Sequence, residues 1–465
     1  MEFNRKPKLG ILALMLEAYE PLFPGITAQQ HAYVEEVLSS LEGTAEFTFP
    51  KVALNRGDIE ELTARYNHDE LDGILIFLLS YSPGQYLVRA MQRNHLPLAL
   101  ALIQPDETVG DDFEELELTV NQGIHGSQDN ANALLRAKIP CVFFAGSRMN
   151  GELKEFVTDF GAAAKTVREL QRMKIGIIGK LPGMGDVVTD DMAVYRKIGP
   201  EFVYDSIGTV TKFCDTVTPE EVAERVAYER TIFDIDPKMP DERHAEAVRM
   251  YIGIKRYLEA GDYAGYTIHF DEFGADGRYT QLPLLAASSL MADGYGYAAE
   301  GDATTAMLMA AMVSLCGEAN FSEMYMMDLK REAILLCHAG EGNYATARKD
   351  RKPFLMDRVF NEGGLSNPPT PIFAPEPGPV SVMSLVHTEG ESFKLVYSKG
   401  EIIDKCDLRK CDMPYMFFRP ESGVRPCVKA WLEQGGTHHE TVVLGDYENR
   451  IRMLCRLTGI EFVCV

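Results

Sequence analysis

The run DGILIFLL (Asp72–Leu79) decides the fold of the first part of the chain. Its apolar residues are continuous rather than alternating, so it predicts a strand covered on both faces. LPLALALI (Leu96–Ile103) and IPCVFFA (Ile139–Ala145) repeat the pattern, and Lys8–Leu16 supplies another strand. Between them, Thr27–Leu41, Gln85–Asn94 and Asp129–Ala137 carry helix-like patterns. Buried strands separated by helices predict a doubly wound α/β domain with a parallel sheet.

Further along, a helical stretch at Glu152–Met173 leads into a strand at Lys174–Gly179. The glycine-rich loop that follows, GKLPGMGD (Gly179–Asp186), lies where open α/β sheets bind ligands. It matches neither G-x-G-x-x-G nor the P-loop, and a tight turn is its plain alternative. Helices are expected at Pro219–Arg230, Asp241–Ala260 and Leu282–Ala292, with a strand at Tyr266–Phe270. From Pro353 to Pro379 the chain is rich in proline and glycine. Short β-like runs then occur at Val380–Val386, Phe393–Ser398, Tyr415–Arg419 and Thr441–Leu444. They predict a mainly antiparallel β domain, closed by a helix at Tyr447–Leu457 and an apolar tail.

The 465 residues carry 46 Lys and Arg against 69 Asp and Glu, a formal net charge of −23. So acidic a chain argues against nucleic acid and anionic membrane surfaces as partners. No apolar run approaches the roughly 18 residues that span a bilayer. The opening MEFNRKPKLGILALML reaches Glu17 at once and reads as a buried strand rather than a secretory signal. Nine scattered cysteines, among them Cys406 and Cys411, form no metal-type cluster and fit reduced thiols in a cytoplasmic enzyme.

Two segments carry histidines suited to chemistry. GGTHHE (Gly435–Glu440) sets His438 and His439 in a glycine-led turn, where one can ligate a metal and the other meet a substrate. The competing reading is a surface loop with two solvated histidines. In AILLCHAGEGN (Ala333–Asn343) a buried strand ends at His338, either a functional group or a histidine bonded to backbone. Glu341 nearby is a further site carboxylate or a solvated charge. Glu300 precedes Asp302, the natural N-cap of an apolar helix, and has no structural duty of its own. Glu323 lies among Met and aromatic residues, where a carboxylate needs a partner or an ion, unless it is a salt-bridged surface charge. Two carboxylates and two histidines without thiolates suit Mn²⁺ first, then Co²⁺ or Zn²⁺.

These segments, in order, resemble the L-arabinose isomerase family of the arabinose/fucose isomerase superfamily. The chain carries E-G-D at Glu300–Asp302, F-x-E-x-Y at Phe321–Tyr325, the strand-end His338 and G-G-x-H-H at Gly435–His439. It also carries N-Q-x-x-H-G at Asn121–Gly126 and G-I-E-F at Gly459–Phe462. The resemblance implies two doubly wound α/β domains followed by a mainly antiparallel, barrel-like β domain, divided as 1–170, 171–322 and 323–465. It implies metal binding by Glu300, Glu323, His338 and His439, with the two glutamates as the acid/base pair. His438 and Met184 would contact the sugar. Gln122 and His125 would complete a neighbouring subunit's site in a trimer or hexamer. The C-H-A-G-E-G-N context of His338 departs from the family's S-H-M-L-E-V, so the sugar pocket is altered. The expected reaction is aldose–ketose isomerisation of an L-arabinose-like sugar through a cis-enediolate. A metal-dependent sugar epimerase or lyase and a non-catalytic sugar-binding protein are the alternatives.

Overall fold

The computed structural model describes residues 5–465 apart from 361–363, 405, 406 and 409, together with all of their side chains except that of residue 275. Cys406 therefore lies outside the described residues. The chain forms two compact units, one made of residues 5–169 with Asn449–Ile460, the other of Leu170–Glu448 with Glu461–Val465.

The N-terminal unit is built on β1 (Lys8–Leu14), β2 (Glu46–Thr48), β3 (Gly73–Leu78), β4 (Leu98–Leu102) and β5 (Val142–Ala145). They form a parallel sheet in the order 2-1-3-4-5. Successive residues of β3 point to opposite faces. Leu75 and Phe77 join a cluster with Val34, Val37, Val157 and Phe160. Ile74, Ile76 and Leu78 join another with Ile59, Leu62, Leu87 and Leu134. Helices cover both faces, which is why the strand has no polar alternation. The helix Gly123–Arg136 begins six residues before the expected Asp129, so the Gln122 motif falls at a helix junction.

In the second unit β6 (Lys174–Ile178), β7 (Glu201–Asp205), β8 (Asp234–Ile235), β9 (Gly265–Ile268) and β10 (Gly296–Ala299) come first. All but β8 form a parallel sheet in the order 10-9-6-7. β7 and β10 escaped the sequence reading. The first has no fully buried residue, and the second, GYAA, has little apolar bulk.

The chain then adds β11 (Asn320–Asp328), β12 (Ala333–Cys337), β13 (Phe354–Asp357), β14 (Pro369–Ile372) and β15 (Gly378–His387). β16 (Phe393–Ile402), β17 (Tyr415–Pro420), β18 (His439–Leu444) and β19 (Glu461–Cys464) complete it. Strands 15-18-11-12-17-16 close into an antiparallel barrel because β15 also pairs with β16, and β19 adds to β16 in parallel. Ile334, Leu336, Val382, Val396, Phe418 and Val442 fill one core of this sheet, with Trp431 from the helix Val424–Glu433. Closure removes the free edges of the barrel strands. β8, β13 and β14 form a small separate sheet, so the proline-rich segment holds short strands.

Candidate active site

Strand register assembles most of the site. β11 pairs with β18 so that Glu323 stands opposite His439, and with β12 so that Glu323 also faces Cys337, the residue before His338. Glu323 Oε1 lies 3.4 Å from His439 Nε2 and 3.8 Å from His338 Nε2.

Glu300 arrives from the parallel sheet. It follows β10 at its carboxyl end, where open α/β sheets present functional groups. Its Oε2 is 3.5 Å from His439 Nε2. Its φ of 66° is left-handed, a region an L side chain adopts at a cost. The turn is held by Glu300 N donating to the Ile268 carbonyl and Gly301 N donating to Thr267 Oγ1, both at 2.9 Å. Glu300, Glu323, His338 and His439 therefore converge.

Each of the two inner histidines has a carboxylate behind it. Asp302 Oδ2 is 2.9 Å from His439 Nδ1, while Oδ1 of the same residue caps the helix Ala303–Cys316 by accepting from Thr305 N at 3.0 Å. Glu341 Oε2 is 2.7 Å from His338 Nδ1, and its Oε1 accepts from the Tyr297 hydroxyl at 2.7 Å. An ionised carboxylate only accepts, so Asp302 holds the His439 ring proton on Nδ1 and turns its Nε2 lone pair toward the glutamates, while Glu341 lies at ion-pair distance from His338 Nδ1. His439 is wholly buried, and its Nε2 has no hydrogen-bond partner among the described residues. Two ligands of one ion at ordinary bond lengths sit about 3.0–3.5 Å apart, which fits the Glu300–His439 and Glu323–His439 distances.

His438 lies closer to this group than alternation of side chains predicts. It precedes β18 rather than belonging to it, and its ring centroid is 4.2 Å from that of His439. Glu300, His438 and His439 offer ligand atoms within 4.8 Å of one another. Asp186 holds His438 by accepting from its backbone N at 2.9 Å and lying 2.6 Å from its Nδ1. Met184 sits half-buried in the same Gly179–Asp186 loop. Gln122 and His125 belong to the N-terminal unit. There Gln122 Nε2 donates to Tyr19 Oη and Ser80 Oγ, each at 3.1 Å, and His125 is exposed.

The electrostatics favour a cation. Asp186, Glu300, Asp302, Glu323 and Glu341 surround three imidazoles. Burial pushes the Glu323 carboxyl up, but His439 beside it and then His338 and His438 outweigh this and hold it below the ordinary range. Burial opposes charge on His439, yet Asp302, Glu300 and Glu323 raise its pKa well above the ordinary value. Glu440, next along β18, is different: burial first, and then the field of Glu323, push its carboxyl well up. It is fully buried, and neither oxygen is bonded to a described residue.

The sequence reading missed the outer groups. Asp186 ends a loop whose signals are its glycines and its place after a strand, Asp302 reads locally as a cap, and Tyr297 carries no local signal. Glu341 is resolved as a buried partner of His338, not a solvated charge.

The family model described as L-arabinose isomerase central domain matches residues 180–318, and that described as L-arabinose isomerase C-terminal domain matches 318–461. L-arabinose isomerase of Clostridium beijerinckii is 25% identical, covering 97% of this chain and 95% of its own. L-arabinose isomerase 1 of Bacillus licheniformis gives the same values, and the Oceanobacillus iheyensis enzyme is 26% identical over 97% of this chain and 100% of its own. No helix among the described residues is long and apolar enough to cross a membrane. With both family domains matched in order and curated relatives aligned over almost its whole length, the chain belongs to the L-arabinose isomerase family as a divergent member and is an isomerase.

Proposed function

We propose that the chain is a metal-dependent aldose–ketose isomerase that acts on an L-arabinose-like sugar through a cis-enediolate. The observation that carries the reading is the pair of inner histidines, each backed by a carboxylate and each aiming Nε2 at Glu323. In this reading Glu300, Glu323, His338 and His439 hold a divalent cation, Mn²⁺ in first place and Co²⁺ or Zn²⁺ after it. The bound cation supplies Lewis-acid stabilisation of charge developing on the sugar oxygens.

The chain's own groups carry the protons. Isomerisation moves one proton between C1 and C2 and another between the two oxygens. Glu300 and Glu323 are the two carboxylates positioned for these transfers, one at carbon and one at oxygen. His438, steadied by Asp186, orients the sugar, with Met184 on the same loop.

The same proposal includes a cytoplasmic trimer or hexamer in which Gln122 and His125 of one subunit complete a neighbour's site. It also includes the division into domains 1–170, 171–322 and 323–465, supported by two family models that meet at residue 318.

The test is a panel of aldoses and ketoses in D₂O with chelator-treated and Mn²⁺-restored protein, followed by NMR. Ketose formation with deuterium at carbon, lost on chelation and restored by Mn²⁺, is the expected result. Full turnover without metal, epimers or cleavage products in place of ketose, or sugar binding without turnover would overturn it.

A further inference from the structure

A cavity of about 220 Å³ lies against His338, Glu300 and Glu341, and its lining is partly charged and largely apolar. The remaining wall includes Ile268, Phe270, Phe273, Leu282 and Leu284, none of which can accept or donate a side-chain hydrogen bond. Two hydroxyls interrupt it. The Tyr297 hydroxyl is already committed to Glu341 at 2.7 Å. The Tyr266 hydroxyl is fully buried and has no partner among the described residues. A buried, unpaired hydroxyl on a cavity wall is costly unless a ligand satisfies it.

We infer that this cavity takes the tail of a deoxy aldose, whose end remote from the carbonyl is a methyl group rather than a hydroxymethyl group. The inference rests on the isomerase reading above and narrows its substrate class. C1 and C2 lie at the acidic end, one tail hydroxyl bonds Tyr266, and the terminal carbon packs on Phe273 and Leu284. A fully hydroxylated tail would carry a terminal hydroxyl against these side chains, none of which can replace its water. An apolar pocket discriminates only moderately against an added hydroxyl, by about 10- to 100-fold.

The experiment compares matched aldose pairs of identical configuration that differ only in a terminal CH₃ or CH₂OH, assayed with the Mn²⁺-loaded full chain. In the pair of preferred configuration, kcat/KM should favour the deoxy member by about tenfold or more. Equal or better use of the hydroxymethyl member overturns the inference while leaving the isomerase reading intact. Two variants sharpen the outcome. Tyr266→Phe should lower kcat/KM for both members alike, because it removes a contact to a shared hydroxyl. Leu284→Asn should shift the preference toward the hydroxymethyl member, and an unchanged ratio in folded protein counts against the assignment. If no pair is isomerised, the isomerase reading fails, and calorimetry with the matched alditols still reads the cavity. Tighter binding of the deoxy alditol then upholds the tail preference; equal affinities, or no binding, overturn it.

Discussion

Glu323 and His439 stand opposite each other on β11 and β18, with Glu323 Oε1 3.4 Å from His439 Nε2. Because Glu323 also faces Cys337 across β12, one strand position fixes distances to both inner histidines. A slip of one residue would turn the carboxylate to the other face of the sheet. Glu323→Gln keeps the shape and the register but removes the charge and the proton acceptor. It should lower kcat by at least about 10²-fold, as should Glu300→Gln, with far-UV circular dichroism unchanged. Wild-type turnover in either folded variant would refute their assignment as the acid/base pair.

Asp302 serves two ends with its two oxygens, capping a helix with one and facing His439 Nδ1 with the other. Asp302→Asn can keep the cap, since asparagine is an equally good N-cap. Its amide turned toward the imidazole presents a donor in place of an acceptor, which favours the tautomer protonated on Nε2. Thermal stability should hardly change, whereas Mn²⁺ affinity read by electron paramagnetic resonance should fall about 10- to 100-fold. Asp302→Ala should add a loss of about 1 kcal/mol from the missing cap. Equal Mn²⁺ affinity in wild type and Asp302→Asn would show that the carboxylate does not position His439.

How far the sequence could be read varied with how local the determinant was. β3 announced itself because burial on both faces leaves an unbroken apolar run. β11 gave no such run: Glu323 interrupts it, and Tyr325 and Met326 beyond it are exposed. GGTHHE looked like a turn, yet His439 already belongs to β18, because barrel closure pairs that residue with Glu323. Asp302 was legible as a cap because capping is settled within one turn of helix, but its second bond reaches a residue far along the chain. Convergence of Glu300, Glu323, His338 and His439 follows from sheet register and crossover. The spacing of those residues could not reveal it without the family resemblance.

Gly10 on β1 gives a prediction for stability in the N-terminal unit. A Cβ there would stand 2.5 Å from Cδ2 of Tyr66, whose ring is fully buried and whose hydroxyl donates to the Ile11 carbonyl at 2.7 Å. The ring cannot retreat without losing that bond. Gly10→Ala should therefore destabilise the protein by about 1–3 kcal/mol in denaturant titration, through overpacking rather than backbone strain. A neutral effect would mean that the β1–Tyr66 contact relaxes freely.

Cysteine accessibility offers a separate reading of each unit. Cys464 is exposed, whereas Cys141 and Cys455 are buried in the N-terminal unit and Cys427 in the barrel. Burial pushes the Cys141 and Cys455 thiols up to about 12, so neither is meaningfully ionised near neutral pH. A thiolate-seeking reagent must then wait for local opening at these sites. Among the described cysteines Cys464 should be modified first in the native protein, and all nine cysteines after denaturation. Mass spectrometry of partly labelled protein compares the two protected groups. If Gly10→Ala acts where the Tyr66 contact lies, it should speed labelling of Cys141 and Cys455 more than that of Cys427. Equal acceleration at all three would instead show that the substitution weakens the chain as a single cooperative whole.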